Sequence, residues 1–95
     1  MNDYELVTII NPEVDGQAVP GVVEKVSHFI TDRDGVVQGT EQWGRKRFAY
    51  PIKRFFEGNY VFTRFRLDSG RVKEVEEDLR AAQEVLRYLA VKVGD

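Results

Sequence analysis

The sequence contains no cysteine, and that absence removes disulfide staples, thiolate metal sites and a cysteine nucleophile together. It suits a reducing cytosol. Histidine is nearly as scarce, His28 standing alone. One imidazole with no converging carboxylate pair supports neither a metal centre nor an acid–base couple. No apolar run approaches the roughly 18 residues of a membrane span, and the N-terminus lacks the basic-then-apolar order of a secretion signal. Neither is expected. Internal repeats, low-complexity tracts and linker-like stretches are also missing. One further absence is local. Residues 1–24 hold no lysine or arginine, against the carboxylates of Asp3, Glu5, Glu13, Asp15 and Glu24.

Ninety-five residues, 42% of them hydrophobic, are expected to form one domain over 1–95. A chain of this size buries roughly 60–65% of the surface that it exposes when unfolded, so one modest core must hold it. Tyr4 to Ile10 is β-branched and apolar and stops at the turn signal Asn11-Pro12. A helix is expected over about Ala18–Arg33. Pro20 is accommodated in its first turn, and Val19, Val22, Val23, Val26, Phe29 and Ile30 recur at helical spacing. Val36–Phe48 reads as a long, polar, basic strand of the kind found at sheet edges. Tyr50–Gly58, which carries Pro51, reads as a connection, and Tyr60–Leu67 as a strong strand. Asp68 or Ser69 caps a second helix with Val72, Val75, Leu79 and Ala82 on its buried stripe. Val85–Val93 is the last strand. The order βαββαβ, with right-handed crossovers, folds as a ferredoxin-like α+β sandwich: a four-stranded antiparallel sheet with both helices on one face.

That architecture leaves the second sheet face bare, and alternation identifies what lies there. In the third strand Val61, Thr63, Phe65 and Leu67 face the helices, while Tyr60, Phe62, Arg64 and Arg66 face away. The first and last strands are apolar on both parities, with Leu6 and Ile10 against Val7 and Ile9, and Leu89 and Val91 against Tyr88 and Ala90. A sheet half open to water alternates more cleanly. The second face is therefore expected to be covered in use, by a partner protein or by self-association.

The charge missing from the first 24 residues is gathered in one segment. From Glu41 to Phe56 the cations Arg45, Lys46, Arg47, Lys53 and Arg54 face a single carboxylate, in a chain of net charge -2. Such a local field attracts polyanions, with RNA the leading candidate. The bland alternative is an edge strand that uses charge to resist aggregation. Alternation puts Arg45 and Arg47 on one face and Lys46 on the other. Trp43, Tyr50 and Phe62 suit either stacking on bases or packing against a partner. Arg87 and Lys92 read as solvated strand charges, Arg87 being also within reach of RNA, and His28 as a solvated helix position.

The run Gly44, Arg45, Lys46, Arg47, Phe48, Ala49, Tyr50, Pro51, Ile52, Lys53, followed by Gly58 and an aromatic strand, resembles the bacterial ribosomal small-subunit protein S-six family. Tyr4-Glu5, Asn11-Pro12 and the closing Ala90-Val91-Lys92 also have equivalents there, so the resemblance spans the chain. It implies a ferredoxin-like, non-enzymatic protein without a cofactor, placed in the cytoplasmic ribosome. Such a protein binds the central domain of small-subunit ribosomal RNA as a heterodimer with ribosomal protein S-eighteen. On that reading Arg45, Lys46, Arg47, Lys53, Arg54 and Arg87 meet RNA, while Trp43, Tyr50, Tyr60, Phe62 and Arg64 meet the protein partner. The chain departs from the family at Arg54-Phe55-Phe56, where members are usually polar.

Two readings from other classes compete. Gly35-Val36-Val37-Gln38-Gly39 resembles the phosphate-cradling loop of acylphosphatases. Here it follows the first helix and opens a strand, whose alternating N–H groups do not converge on a phosphate. Gly58–Phe65 echoes the central strand of RNA-recognition domains, but the stacking positions fall at Asn59 and Val61 rather than at the aromatics Tyr60 and Phe62. A module of that kind binds short single-stranded RNA without a partner.

Overall fold

The computed structural model describes residues 1–94 as β1 (Asn2–Ile10), α1 (Val19–Thr31), β2 (Val36–Ile52), β3 (Phe55–Leu67), α2 (Val72–Ala81) and β4 (Val85–Val93). The strand with the largest buried share takes a central place. β1 pairs antiparallel with β3 on one side and β4 on the other, and β2 adds to β3, for a sheet order β2-β3-β1-β4. This is the ferredoxin-like arrangement, with basic β2 at one edge.

The β1–β3 register sets Tyr4 opposite Phe65, Leu6 opposite Thr63 and Thr8 opposite Val61. That row faces the helices. Val26 and Ile30 of α1 and Val75 and Leu79 of α2 close over Tyr4, Leu6, Phe65 and Leu67 as one buried cluster. Ile10, Val19, Val22 and Val61 form a second cluster at the start of α1. Each large side chain buried in this way contributes about 1.5–3 kcal/mol before the chain-entropy cost.

The helix starts are tighter than the apolar periodicity indicates. A 3-10 turn at Gly16–Ala18 precedes α1, and the Asp15 carboxylate accepts the Gln17 N–H at 2.9 Å. Asp68 does the same for Gly70 at 2.9 Å ahead of a 3-10 turn at Ser69–Arg71, so it caps that turn and α2 follows. α1 ends at Thr31 rather than Arg33: the backbone turns through Asp34 at φ 64°, and the Gly35 N–H donates to the Ile30 carbonyl at 3.0 Å. Beyond that end the Arg33 guanidinium clamps the two helices together. Its Nε lies 3.2 Å from Glu74 and its Nη1 2.6 Å from Asp78. Hydrogen bonds from Arg33 and then Arg71 hold the Glu74 carboxyl below its ordinary pKa.

One position in the core is frustrated. Thr8 is 1% exposed, and its hydroxyl has no partner in the structure. A desolvated, unpaired hydroxyl costs about 1–3 kcal/mol. Thr8→Val keeps the shape and removes that group, so it is expected to raise stability by about 1 kcal/mol. Chemical denaturation checks this as a higher midpoint at unchanged slope; a lower midpoint would mean that the hydroxyl is satisfied.

Candidate nucleic-acid interface

The basic segment is not a loop. β2 runs past Phe48 to Ile52, and β3 begins at Phe55, where the sequence suggests a connection over Tyr50–Gly58. The Tyr50-Pro51 pair reads as a breaker, but it sits inside a wide bulge. Arg47 pairs with Glu57 and Ile52 with Phe55, so residues 48–51 stand against Phe56 alone. A proline costs no ladder hydrogen bond in such a place.

The bulge lets the hairpin curl over the sheet face that turns away from the helices. Ile52 is buried there with Ile9 and Leu86, and Phe48, Phe55 and Tyr60 pack around them. A β-bulge in β4, between the pairs Ile9–Arg87 and Ile10–Val85, supplies Leu86 to this cluster. Gly58 makes the close approach possible. A Cβ there would lie 2.7 Å from Ile9 Cγ2 and 3.1 Å from Phe48 Cζ. Part of the face expected to be bare is thus covered by the chain's own hairpin.

The cations on this hairpin fall into two groups. Arg45 is engaged internally, its Nη2 donating to the Pro12 carbonyl at 2.9 Å and its Nη1 lying 3.5 Å from Glu57. It staples the hairpin to the β1–α1 loop. Lys46, Arg47, Lys53 and Arg54 form no salt bridge among the described residues, and neither does Arg87 on the adjoining stretch of β4. Elsewhere Lys25 pairs with Glu84, Arg33 with Glu74 and Asp78, Arg66 with Asp3, and Arg71 with Asp34 and Glu74. Arg64, Lys73, Arg80 and Lys92 also lack a salt bridge among the described residues, but they are spread over β3, α2 and β4, whereas four unpaired cations fall within residues 46–54 of the hairpin.

The turn itself is strained. Lys53 and Arg54 have φ of 48° and 68°, the left-handed conformation of a two-residue type I′ turn, which Asn-Gly adopts at far lower cost. Backbone strain kept at a charged, exposed tip marks a place where side-chain identity outweighs stability. Replacing the pair by Asn-Gly (Lys53→Asn with Arg54→Gly) is expected to raise stability by about 1–2 kcal/mol while weakening polyanion binding. Thermal unfolding and a nucleic-acid titration of the same protein test both halves. A gain in stability with unchanged binding would remove the tip from the interface.

The aromatics also divide. Trp43 stacks on Phe62 with centroids 5.2 Å apart and planes 6° apart, on the sheet face turned away from the helices. On the same face Val7 of β1 separates Phe62 from Leu89 and Glu5 separates Arg64 from Val91, so Leu89, Val91 and Val93 of β4 form an exposed apolar row one strand further across the sheet. Tyr60 instead tilts against Phe48 at 6.2 Å. Tyr50, 70% exposed, stands beside Arg47 and Arg87 at the curl of the hairpin. The five residues grouped as partner-facing thus occupy two neighbouring places. His28 is a solvated helix residue 4.0 Å from Glu24. Three features escape the sequence pattern: the Pro12 anchor of Arg45, the cluster under the hairpin, and the exposure of Phe56. Only the last had a signal, in the departure at Arg54-Phe55-Phe56.

Among the described residues no group of three or more His, Asp or Glu side chains is placed to hold a metal, and no helix is long and apolar enough to cross a membrane. The Gly35–Gly39 run opens β2, so its N–H groups alternate along a ladder and form no phosphate cradle.

Comparison with known proteins places this geometry. The family model described as Ribosomal protein S6 matches residues 3–92. The small ribosomal subunit protein bS6 of Moorella thermoacetica is 38% identical over 95 residues, covering 100% of this chain and 97% of that protein. Its counterpart in Fusobacterium nucleatum is 37% identical over 92 residues, covering 97% and 98%. The crystal structure of 30S ribosomal protein S6 from Thermotoga maritima superposes with a TM-score of 0.90 at 34% identity, over 96% of this chain and 86% of that one. The C-terminal domain of the MgtC protein from Mycobacterium tuberculosis, at TM-score 0.65 and 10% identity, shares the fold alone. The chain belongs to the ribosomal protein S6 family, whose members are structural proteins of the small ribosomal subunit and not enzymes.

Proposed function

We propose that this chain binds the central domain of small-subunit ribosomal RNA jointly with ribosomal protein S-eighteen, in the cytoplasmic ribosome. The observation that carries the reading is the concentration of cations without salt-bridge partners on the curled hairpin, Lys46, Arg47, Lys53 and Arg54, with Arg87 beside them. Phosphates supply the missing counter-charge, and each contact releases condensed counterions. Arg45 contributes by fixing the hairpin as well as by its charge. The Trp43–Phe62 stack, Arg64 and the apolar row of β4 offer the partner an amphipathic sheet face. An apolar centre with a polar rim is typical of protein interfaces. Tyr50 and Tyr60 stand where the two surfaces meet. No bond is made or broken; the work is to hold an RNA junction by shape and charge.

Recovery of the tagged protein from bacterial lysate at low and at moderate salt tests this reading. Small-subunit ribosomal RNA and a second small ribosomal protein are expected at low salt, both diminishing as salt rises. Recovery of the protein alone at both salts would contradict it. Tight binding of a short single-stranded oligonucleotide by the isolated chain would favour an autonomous RNA-recognition module.

A further inference from the structure

The curl of the hairpin leaves a depression of about 200 Å³ bordered by Arg47, Phe48, Tyr50, Ile52, Tyr60 and Arg87. Ile52 is buried and Phe48 and Tyr60 are half-buried, so these form the floor, while Arg47, Tyr50 and Arg87 are exposed and form the rim. We propose that this depression receives one unpaired nucleotide of the bound RNA, its base against Tyr50 and the aromatic floor and its phosphate between Arg47 and Arg87. The inference rests on the RNA-binding reading above and names the part of the RNA that this site takes.

The chemistry of the rim and floor selects the ligand. Neither guanidinium has a carboxylate within salt-bridge reach among the described residues, so the occupant carries negative charge. The floor is aromatic and aliphatic, and Tyr50 presents its ring to solvent, so the occupant also carries a flat apolar surface. An unpaired nucleotide joins both in one small unit. A recess of this size is below the range of about 300–1,000 Å³ common for drug-sized ligands, which fits a single base and not a helix. Bases of an A-form duplex are not presented to side chains in this way, whereas those of bulges and junctions are. Arg87 also borders an adjoining depression of about 230 Å³ together with Lys53 and Arg80. A phosphate chain leaving the nucleotide therefore continues over cations toward the hairpin tip.

The test uses the chain in complex with ribosomal protein S-eighteen and a central-domain ribosomal RNA fragment. Tyr50→Ala is expected to weaken RNA binding about tenfold through lost stacking, with an unchanged salt slope, and Tyr50→Phe to restore it. Arg87→Ala is expected to lower the logarithmic salt slope by about 0.7. Chemical probing of the RNA should show one unpaired base protected by the native complex and by Tyr50→Phe, and reactive with Tyr50→Ala. If Tyr50→Ala binds RNA like the native chain, the pocket assignment falls while the ribosomal reading stands. If Tyr50→Ala weakens the heterodimer before any RNA is added, the occupant is a segment of the protein partner and the assignment falls. If the native complex does not bind the fragment, both readings fall.

Discussion

Reversing Arg47, Lys53 and Arg87 together to glutamate is expected to lower RNA affinity of the complex by at least about a hundredfold at moderate salt. Each cation–phosphate contact contributes about 0.7–0.9 to the logarithmic salt slope, so removing three lowers the slope by about 2–3. The reversed charges add repulsion from the same phosphates. Stability should change far less than affinity, because these side chains are exposed and make no salt bridge among the described residues. The main cost is the glutamate at position 47 standing opposite Glu57. A single surface substitution stays within about 0.5 kcal/mol, so the three together are expected to cost no more than about 1.5 kcal/mol. Binding isotherms over a salt series, with thermal unfolding of the same variant, separate the two effects. Equal affinity and slope in the variant would show that the hairpin is only a solvated edge. Arg45 is excluded from the set because its reversal also breaks the bond to Pro12 and the pairing with Glu57.

The second large effect is on folding. Phe65→Ala is expected to cost about 3–5 kcal/mol, the range for emptying a buried phenylalanine site. Phe65 is 1% exposed and stacks on Tyr4 at 5.3 Å, with planes 20° apart, in the cluster that joins both helices to the sheet. Small domains have about 5–15 kcal/mol in total, so this substitution removes a large share. The melting temperature should fall by about 15–30 °C. Phe56→Ala serves as the internal control: that ring is 61% exposed and should move stability by less than about 0.5 kcal/mol. If the two variants unfolded at similar temperatures, the assignment of the core to this face of the sheet would be wrong.

The sheet was legible in the sequence because its faces obey simple alternation. Val61, Thr63, Phe65 and Leu67 follow period two without interruption and face the helices as that pattern requires. The valine and isoleucine stripe of α1 was legible for the same reason. What alternation conceals is a bulge. The extra residues 48–51 shift the parity between Arg47 and Ile52, so Phe48 and Ile52 reach a common cluster that no fixed period connects. Pro51 then reads as the end of a strand when it lies within one. Charge was easier to place than its use. The concentration of cations is visible in the sequence. That Arg45 is held by a carbonyl 33 residues earlier in the chain depends on tertiary packing alone.

The most direct test of the central claim is ultraviolet cross-linking of the chain within the reconstituted small-subunit complex, with the cross-linked peptides mapped by mass spectrometry. The account predicts that RNA adducts fall on the hairpin over residues 45–56 and on the neighbouring stretch around Arg87. Adducts confined to α1 and α2, with the hairpin unmodified, would contradict it.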